Sequence, residues 1–234
     1  MMVNPSIENQ CTSFPESQFK QYLLDDETYP LDYEIINFEV QEEISQENEP
    51  TTYVYIVASG VVMERQDNRV INFLGENEFI GLGEIIDRVA STTAFIALTQ
   101  VQLYKINAQD ISVKLGINCY GMGILADVLN HRILTLTERL TTSKTNHENV
   151  LGTIVKLAAM HGEQDSNQIQ VKRYFTEKMI ASYLQISYTS VLAAYEKYRE
   201  EGIFHDDGDN IIIHMTNIAP KSTEEMVFTK RSQK

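Results

Sequence analysis

Cysteine is scarce in this chain, with Cys11 and Cys119 the whole supply. Two thiols cannot build a disulfide framework or a four-thiolate iron–sulfur centre. Long apolar runs are also missing: those present are short and interrupted, far below the roughly 20 residues of a membrane helix. The opening MMVNPSIENQ has neither a basic stretch nor an apolar core, so no secretory signal is read there. These absences predict a cytoplasmic protein without a membrane partner. His131, His147, His161, His205 and His214 lie far apart and never at metal-ligand spacing. Gly81-x-Gly83 and Gly121-x-Gly123 lack the strand–helix setting of a dinucleotide fingerprint. Neither a metal, a cofactor nor a catalytic residue is therefore expected.

Positive charge is the other shortage. The 234 residues hold 19 Lys and Arg against 33 Asp and Glu, a formal net charge of −14. The deficit is not uniform. Residues 1–118 carry 19 acids against 6 bases, residues 119–170 carry 5 against 4, and residues 171–234 carry 9 against 9. Such asymmetry suggests two domains with different tasks. With 43% apolar and 22% charged residues, the composition is that of a soluble globular protein.

Residues 14–29 have helical spacing around Phe19 and Leu23. From about residue 31 to 106 the texture changes to short segments rich in β-branched and aromatic residues, such as YEIINFEV, TYVYIVASGVVMER and VQLYKI. Turn signals such as QDN and GENE separate them, at spacings of about ten residues, which predicts a β-sandwich or barrel. Met122 to Thr142 then sustains a helical seam: Met122, Ala126, Leu129, Ile133, Leu136 and Leu140 follow at intervals of four and three. A lone amphipathic helix packed on its own domain would give a similar stripe. Its place between this β-domain and a further helical unit favours a dimer seam, with Leu129, Ile133, Leu136 and Leu140 facing a second copy.

HENVLGTIVKLAAMHGEQ predicts a helix ending near Gly162, followed by the polar loop EQDSNQ and a strand in IQVKRYF. Next stands FTEKMIASYLQISYTSVLAAYEKYREEGIF, residues 175–204. Thr176 is a good N-cap for a helix of about Glu177 to Leu184. QIS makes a turn, and Ser187 caps a second helix of about Tyr188 to Glu201, stopped by Gly202. Ala181 is small where two helices crossing steeply must approach. IFHDDGDNIIIHM reads as strand, turn and strand, the wing of a winged helix.

In this order and spacing the parts resemble the Crp/Fnr superfamily of bacterial transcription regulators, over roughly residues 15–216. YIVASGVVMER resembles the family's I-x-x-G-x-V at Val57, Gly60 and Val62, and GENEFIGLGEI resembles its G-D-x-x-G-E loop at Phe79 and Gly81. T-x-x-x-I-A-x-x-L-x-I-S-x-x-S-V is similar at Thr176, Ile180, Ala181, Leu184, Ser187, Ser190 and Val191. The resemblance implies an α+β fold: an N-terminal β-barrel or jelly-roll, cyclic-nucleotide-binding-like domain (1–118), a dimerisation helix (119–145), a C-terminal winged helix-turn-helix (146–220) and a tail (221–234). It implies a homodimeric regulator whose partners are double-stranded DNA, RNA polymerase and a small-molecule effector of unassigned identity.

Departures from the pattern narrow this. Cyclic-AMP-binding members place Glu after the loop glycine and an Arg-Ser pair about eleven residues on. Here those positions are Leu82 and Thr92-Thr93, leaving no guanidinium for a phosphate. Cyclic-AMP sensing is expected to be lost and the pocket filled by apolar side chains or another ligand, as in the branch resembling PrfA. The family's usual base readers, two arginines and a glutamate, are replaced by Tyr188, Thr189 and Ala193, which cannot make the bidentate guanine contact. Thr176, Lys178, Ser187 and Ser190 are expected to hold phosphates, Tyr188 and Thr189 to face the base edges of an A·T-rich palindrome, and Lys197 to assist. Lys172, Arg173, Lys178, Lys197 and Arg199 cluster around the reader. An enzyme of the cupin kind would need His and carboxylate ligands, and the predicted strands contain no His. The alternative is a regulator-derived protein that has lost DNA binding and acts through protein contacts.

Overall fold

The computed structural model describes residues 14–49, 52–83, 91–141, 144–165 and 167–218. Eight strands form the first half: β1 (Tyr33–Phe38), β2 (Glu43–Ser45), β3 (Tyr53–Ser59), β4 (Val62–Gln66), β5 (Arg69–Leu74), β6 (Phe79–Ile80), β7 (Ala94–Ala97) and β8 (Val101–Asn107). They make two four-stranded antiparallel sheets, in the orders β1-β8-β3-β6 and β2-β7-β4-β5. Strand alternation sends Val57, Val101 and Leu103 from one sheet, and Val62, Leu74, Phe95 and Ala97 from the other, into one core. Among the described residues no strand pair joins the two sheets, so of the expected β-barrel or jelly roll the unit is an open jelly roll.

Local chemistry fixes the turns. Asp67 and Asn68 both take positive φ, 47° and 64°, between Gln66 and its partner Arg69, the two-residue turn whose twist suits a hairpin. Gly60 sits at φ 90° with its α-carbon against the Gln100 carbonyl, where a Cβ would lie 2.3 Å from that oxygen.

Helix α1 (Phe14–Leu24) packs on the start of α3 (Cys119–Thr141), with Tyr22 filling the space above Gly121. The helical spacing through residue 29 is not realised: α1 stops at Leu24, where the buried Lys114 ammonium takes the Leu23 and Asp25 carbonyls. Lys114 belongs to α2 (Ala108–Ile117), capped by the Asn107 side chain. His131 of α3 is exposed and reaches buried Glu16 at 3.1 Å.

The last third contains α4 (Asn146–His161), β9 (Glu163–Asp165), β10 (Gln168–Lys172), α5 (Glu177–Leu184), α6 (Tyr188–Glu200), β11 (Phe204–Asp207) and β12 (Asn210–His214). A capping box between Thr145 and Glu148 starts α4. Part of the expected EQDSNQ loop is strand: β9 pairs antiparallel with β10 and completes the sheet β11-β12-β10-β9.

The β4–β5 hairpin and the last third share a hydrophobic core. Val61, Met63, Val70 and Phe73 join Val150, Ile154, Phe175, Ile180 and Val191 in a single cluster. Phe73 meets Phe175 edge-on at 4.9 Å and Tyr183 at 5.4 Å between ring centres. The Val70 amide donates to Ser182 Oγ at 2.9 Å. Arg139 of α3 gives a hydrogen bond to the Ile71 carbonyl at 2.6 Å and lies over the Tyr183 ring. Beside them the His161 imidazole covers Gly75 so closely that a Cβ there would come within 2.4 Å of the ring.

This junction is sensitive to protons. Burial pushes the Glu78 carboxyl up to about 7, against the pull of the Gly75 amide, Arg132 and Lys156. Burial holds His161 down to about 4. An unfolded chain has lost the Glu78 proton near 4.5 while the folded chain keeps it to about 7, so stability falls as pH rises through that window. His161 acts on the acid side, where stability falls as pH drops from 6.5 towards 4. Denaturant titration should find Glu78→Gln more stable than the parent by on the order of 3 kcal/mol at about pH 8, with the gap closing below about pH 4. Superimposable pH profiles would show that the Glu78 carboxyl is not buried as described.

Candidate nucleic-acid interface

Two capped helices build the candidate reading head. Thr176 Oγ1 accepts from the Met179 amide at 3.3 Å, and Ser187 Oγ accepts from the Ser190 amide at 3.1 Å, so each helix begins where a hydroxyl occupies an orphan N–H. Between them Gln185 takes the left-handed conformation at φ 55°, and the Ile186 amide returns to the Ala181 carbonyl at 3.1 Å. Ile180 and Ala181 of α5 and Val191, Ala194, Tyr195 and Tyr198 of α6 are buried, which sets the crossing of the two helices.

The opposite faces are open. Thr176, Lys178, Ser187, Tyr188 and Thr189 are exposed and Ser190 is half-buried, with Tyr188 presenting 42% of its surface. The hydroxyls of Ser187, Thr189 and Ser190 form a cluster, with Ser187 Oγ 2.9 Å from Thr189 Oγ1 and 2.7 Å from Ser190 Oγ. Six of the seven residues expected to meet DNA thus lie at the helix N-termini or in their first turns. Lys197 does not: nine residues beyond Tyr188 on a helix rising 1.5 Å per residue, it lies about 14 Å further along and faces Glu201 at 3.9 Å.

The basic cluster expected here is largely neutralised. Asp206 on β11 pairs with Arg173 and, at 2.8 Å, with Arg199. Lys172 and Lys178 form no ion pair among the described residues. The outer face of α6 also carries exposed Ala193, Glu196 and Glu200, and the latter two oppose phosphate. Sequence reasoning missed Asp206 because its partners are 33 and 7 residues away.

The other candidate surface is α3. Its first half is rooted in the jelly roll through Ile124, Leu125 and Val128, all buried. Beyond that the seam is bare: Ile133 is 60% exposed, Leu136 44% and Leu140 78%. Leu129 differs from these three, being half-buried against the domain's own core.

For the ligand region the expectation was a filling of apolar side chains or another ligand, and residues 84–90 of its loop lie outside the described residues. Leu82 is buried among Phe19, Phe79 and Ile111 rather than lining an opening, and Thr92 is exposed. Thr93 Oγ1 donates to Glu64 Oε1 at 3.0 Å. Burial raises the Glu64 carboxyl above its ordinary range, while the Thr93 hydroxyl and the charges of Arg132 and Arg139 pull it down. Arg132 is held by the Phe79 carbonyl at 2.7 Å. No group of His, Cys, Asp and Glu among the described residues is placed to hold a metal. None of the described helices is long and apolar enough to cross a membrane. Cys119 is an exposed free thiol, whereas Cys11 and residues 221–234 lie outside the described residues.

An open jelly roll, a long helix with a bare apolar seam and a winged helix-turn-helix together make up the described residues. Residues 35–115 match the family model of the cyclic nucleotide-binding domain. The chain is similar in fold to FixK2 from Bradyrhizobium japonicum, at 18% identity and a TM-score of 0.68, over 78% of this chain and 93% of that one. It is similar to the c-di-GMP-responsive global regulator CLP of Xanthomonas campestris, at 14% identity and a TM-score of 0.62, over 85% and 99% of the two chains. A cyclic nucleotide-binding domain containing protein of Listeria monocytogenes EGD-e matches at 16% identity and a TM-score of 0.61, over 87% and 99%. No curated protein sequence matches the chain.

The Ala181 contact is testable on its own. Ala181→Leu adds three carbons where α5 approaches α6 and should cost about 1–3 kcal/mol. A calorimetric melting temperature equal to the parent's would mean that the two helices do not meet there.

Proposed function

We propose that the protein is a homodimeric, sequence-specific DNA-binding transcription regulator of the Crp/Fnr type, that it is not controlled by cyclic AMP, and that it is not an enzyme. The observation that carries the reading is the exposed N-terminus of α6, where Tyr188 and Thr189 stand open beside a cluster of hydroxyls. In this motif those residues enter the major groove, and the helix dipole and amides favour phosphate. Thr176, Lys178, Ser187 and Ser190 hold the backbone, while Tyr188 and Thr189 touch base edges and thymine methyls. Without a guanine-reading Arg, preference leans on A·T-rich steps and on DNA bending. RNA polymerase is the natural further partner of such a regulator. The cytoplasm is its place of action.

Selection of binding sites from random DNA with the parent and Tyr188→Ala tests this reading. The parent should select an A·T-rich palindrome, and the variant a different motif, with about 1–3 kcal/mol lost on the parent's best site. An identical motif of identical strength would mean that α6 does not read bases. An alternative in which DNA binding is lost and the protein acts through protein contacts is favoured by Glu196 and Glu200 on the outer face of α6. It predicts that no motif is selected.

Dimerisation follows from the seam. Ile133, Leu136 and Leu140 have no cover within one chain, and burying each against a second copy would contribute roughly 1.5–3 kcal/mol. Leu136→Asp puts an unpaired charge into that seam and should shift the protein to monomer in sedimentation at low micromolar concentration. A variant that remains dimeric would place the interface elsewhere.

Cyclic AMP has no anchor here. The Thr93 hydroxyl already serves a carboxylate, and Glu64 would stand beside an incoming phosphate and repel it. The same loss of anchors supports placement near PrfA and leaves the effector unassigned. Calorimetry with cyclic AMP should show no binding at sub-millimolar concentrations. Saturable micromolar binding would overturn that assignment.

A further inference from the structure

The arginines nearest the reading head do not face solvent as free charges. Arg173 precedes α5, Arg199 lies in the last turn of α6, and both guanidiniums converge on one carboxylate, Asp206, in the first strand of the wing. All three side chains remain partly exposed, at 41%, 35% and 38%, so the cluster lies at the surface and is not locked in a core. The segment carrying Arg173 is tied to the wing a second time, its amide donating to the Asp209 carbonyl at 2.9 Å. The wing itself holds Asp206, Asp207 and Asp209 and no Lys or Arg between Phe204 and His214. A wing of this composition brings no Lys or Arg of its own to phosphate. It can hold the arginines that would contact phosphate.

Resting on the DNA-binding reading above, we propose that Asp206 is an internal competitor for DNA phosphate: it occupies Arg173 and Arg199 in the free protein, and tight binding requires both to exchange the carboxylate for phosphates of the duplex. Exchange is feasible because surface ion pairs are weak, with a median near 0–1 kcal/mol, and a phosphate offers a guanidinium the same forked geometry as a carboxylate. Asp206 then lowers affinity for every sequence alike and leaves the selected motif untouched, because the two arginines are placed away from the Tyr188 and Thr189 end of α6. The device keeps a near-neutral reading domain from adhering to arbitrary DNA.

The test is the affinity of the full chain for a random-sequence duplex as a function of salt, for the parent, Asp206→Asn, Asp206→Glu, and Asp206→Asn combined with Arg173→Gln and Arg199→Gln. Asp206→Asn keeps the shape of the side chain and should bind several-fold more tightly. Its plot of log affinity against log salt should steepen by up to about 1.8, two phosphate contacts at about 0.9 each. Asp206→Glu should behave as the parent, and the triple variant should lose the added slope. An Asp206→Asn protein that binds no more tightly, or less tightly because the pairs merely brace the wing, overturns the proposal. So does a gain that survives in the triple variant, since it would reflect removal of one negative charge and not release of arginines. If neither the parent nor Asp206→Asn binds any duplex at low salt, the DNA-binding reading falls as well. A parent that binds with no gain in the variant overturns this proposal alone.

Discussion

The packing of Phe73 between Phe175 and Tyr183 is the contact on which the rest of the molecule depends. It is the aromatic centre of the hydrophobic cluster that joins a jelly-roll hairpin to the winged helix. The reading head therefore has a defined angle to α3, and α3 carries the seam through which two copies would meet. Two half-sites can be read together only when that angle is fixed. Arg139 reinforces the arrangement by bonding to the sheet and covering the Tyr183 ring from the long helix itself.

The charge distribution follows from the same geometry. Net acidity resides in the first 118 residues, whose β4–β5 hairpin shares a core with α5 and α6 while the start of α3 packs on the rest of the jelly roll. Fields of exposed charges are screened over about 8 Å at physiological salt, so acids further than that from a duplex weaken association without forbidding it. The local charge balance at α5 and α6 is set by Lys172 and Lys178, unpaired among the described residues, and by Asp206, which engages the two arginines. Glu64 plays a comparable part in the jelly roll, where a carboxylate accepts from Thr93 at the position that the family resemblance assigns to a phosphate partner.

The elements best read from sequence were those fixed by local chemistry. Thr176, Ser187 and Gly202 mark helix ends by their own hydrogen-bonding capacity or conformational freedom, and α5 and α6 begin where the caps put them. Gly60 and the Asp67-Asn68 turn likewise announce themselves through backbone geometry. Features set by distant partners were not visible. Helix α1 ends at Leu24 because Lys114, some ninety residues away, takes its last carbonyls. The Glu64–Thr93 bond, the Asp206 pairs and the core shared across the hairpin all join residues whose proximity no periodicity encodes. Leu129 and Leu136 look alike in the heptad, yet one rests on the domain's own core and the other does not.

The most direct measurement is hydroxyl-radical footprinting of the full chain on a duplex obtained by selection from random DNA. A pair of α6 helices related by two-fold symmetry predicts two protected tracts on one face of the duplex, centred about one helical turn, roughly 34 Å, apart. A single tract at every protein concentration, or no protection at low salt, would contradict a paired DNA reader.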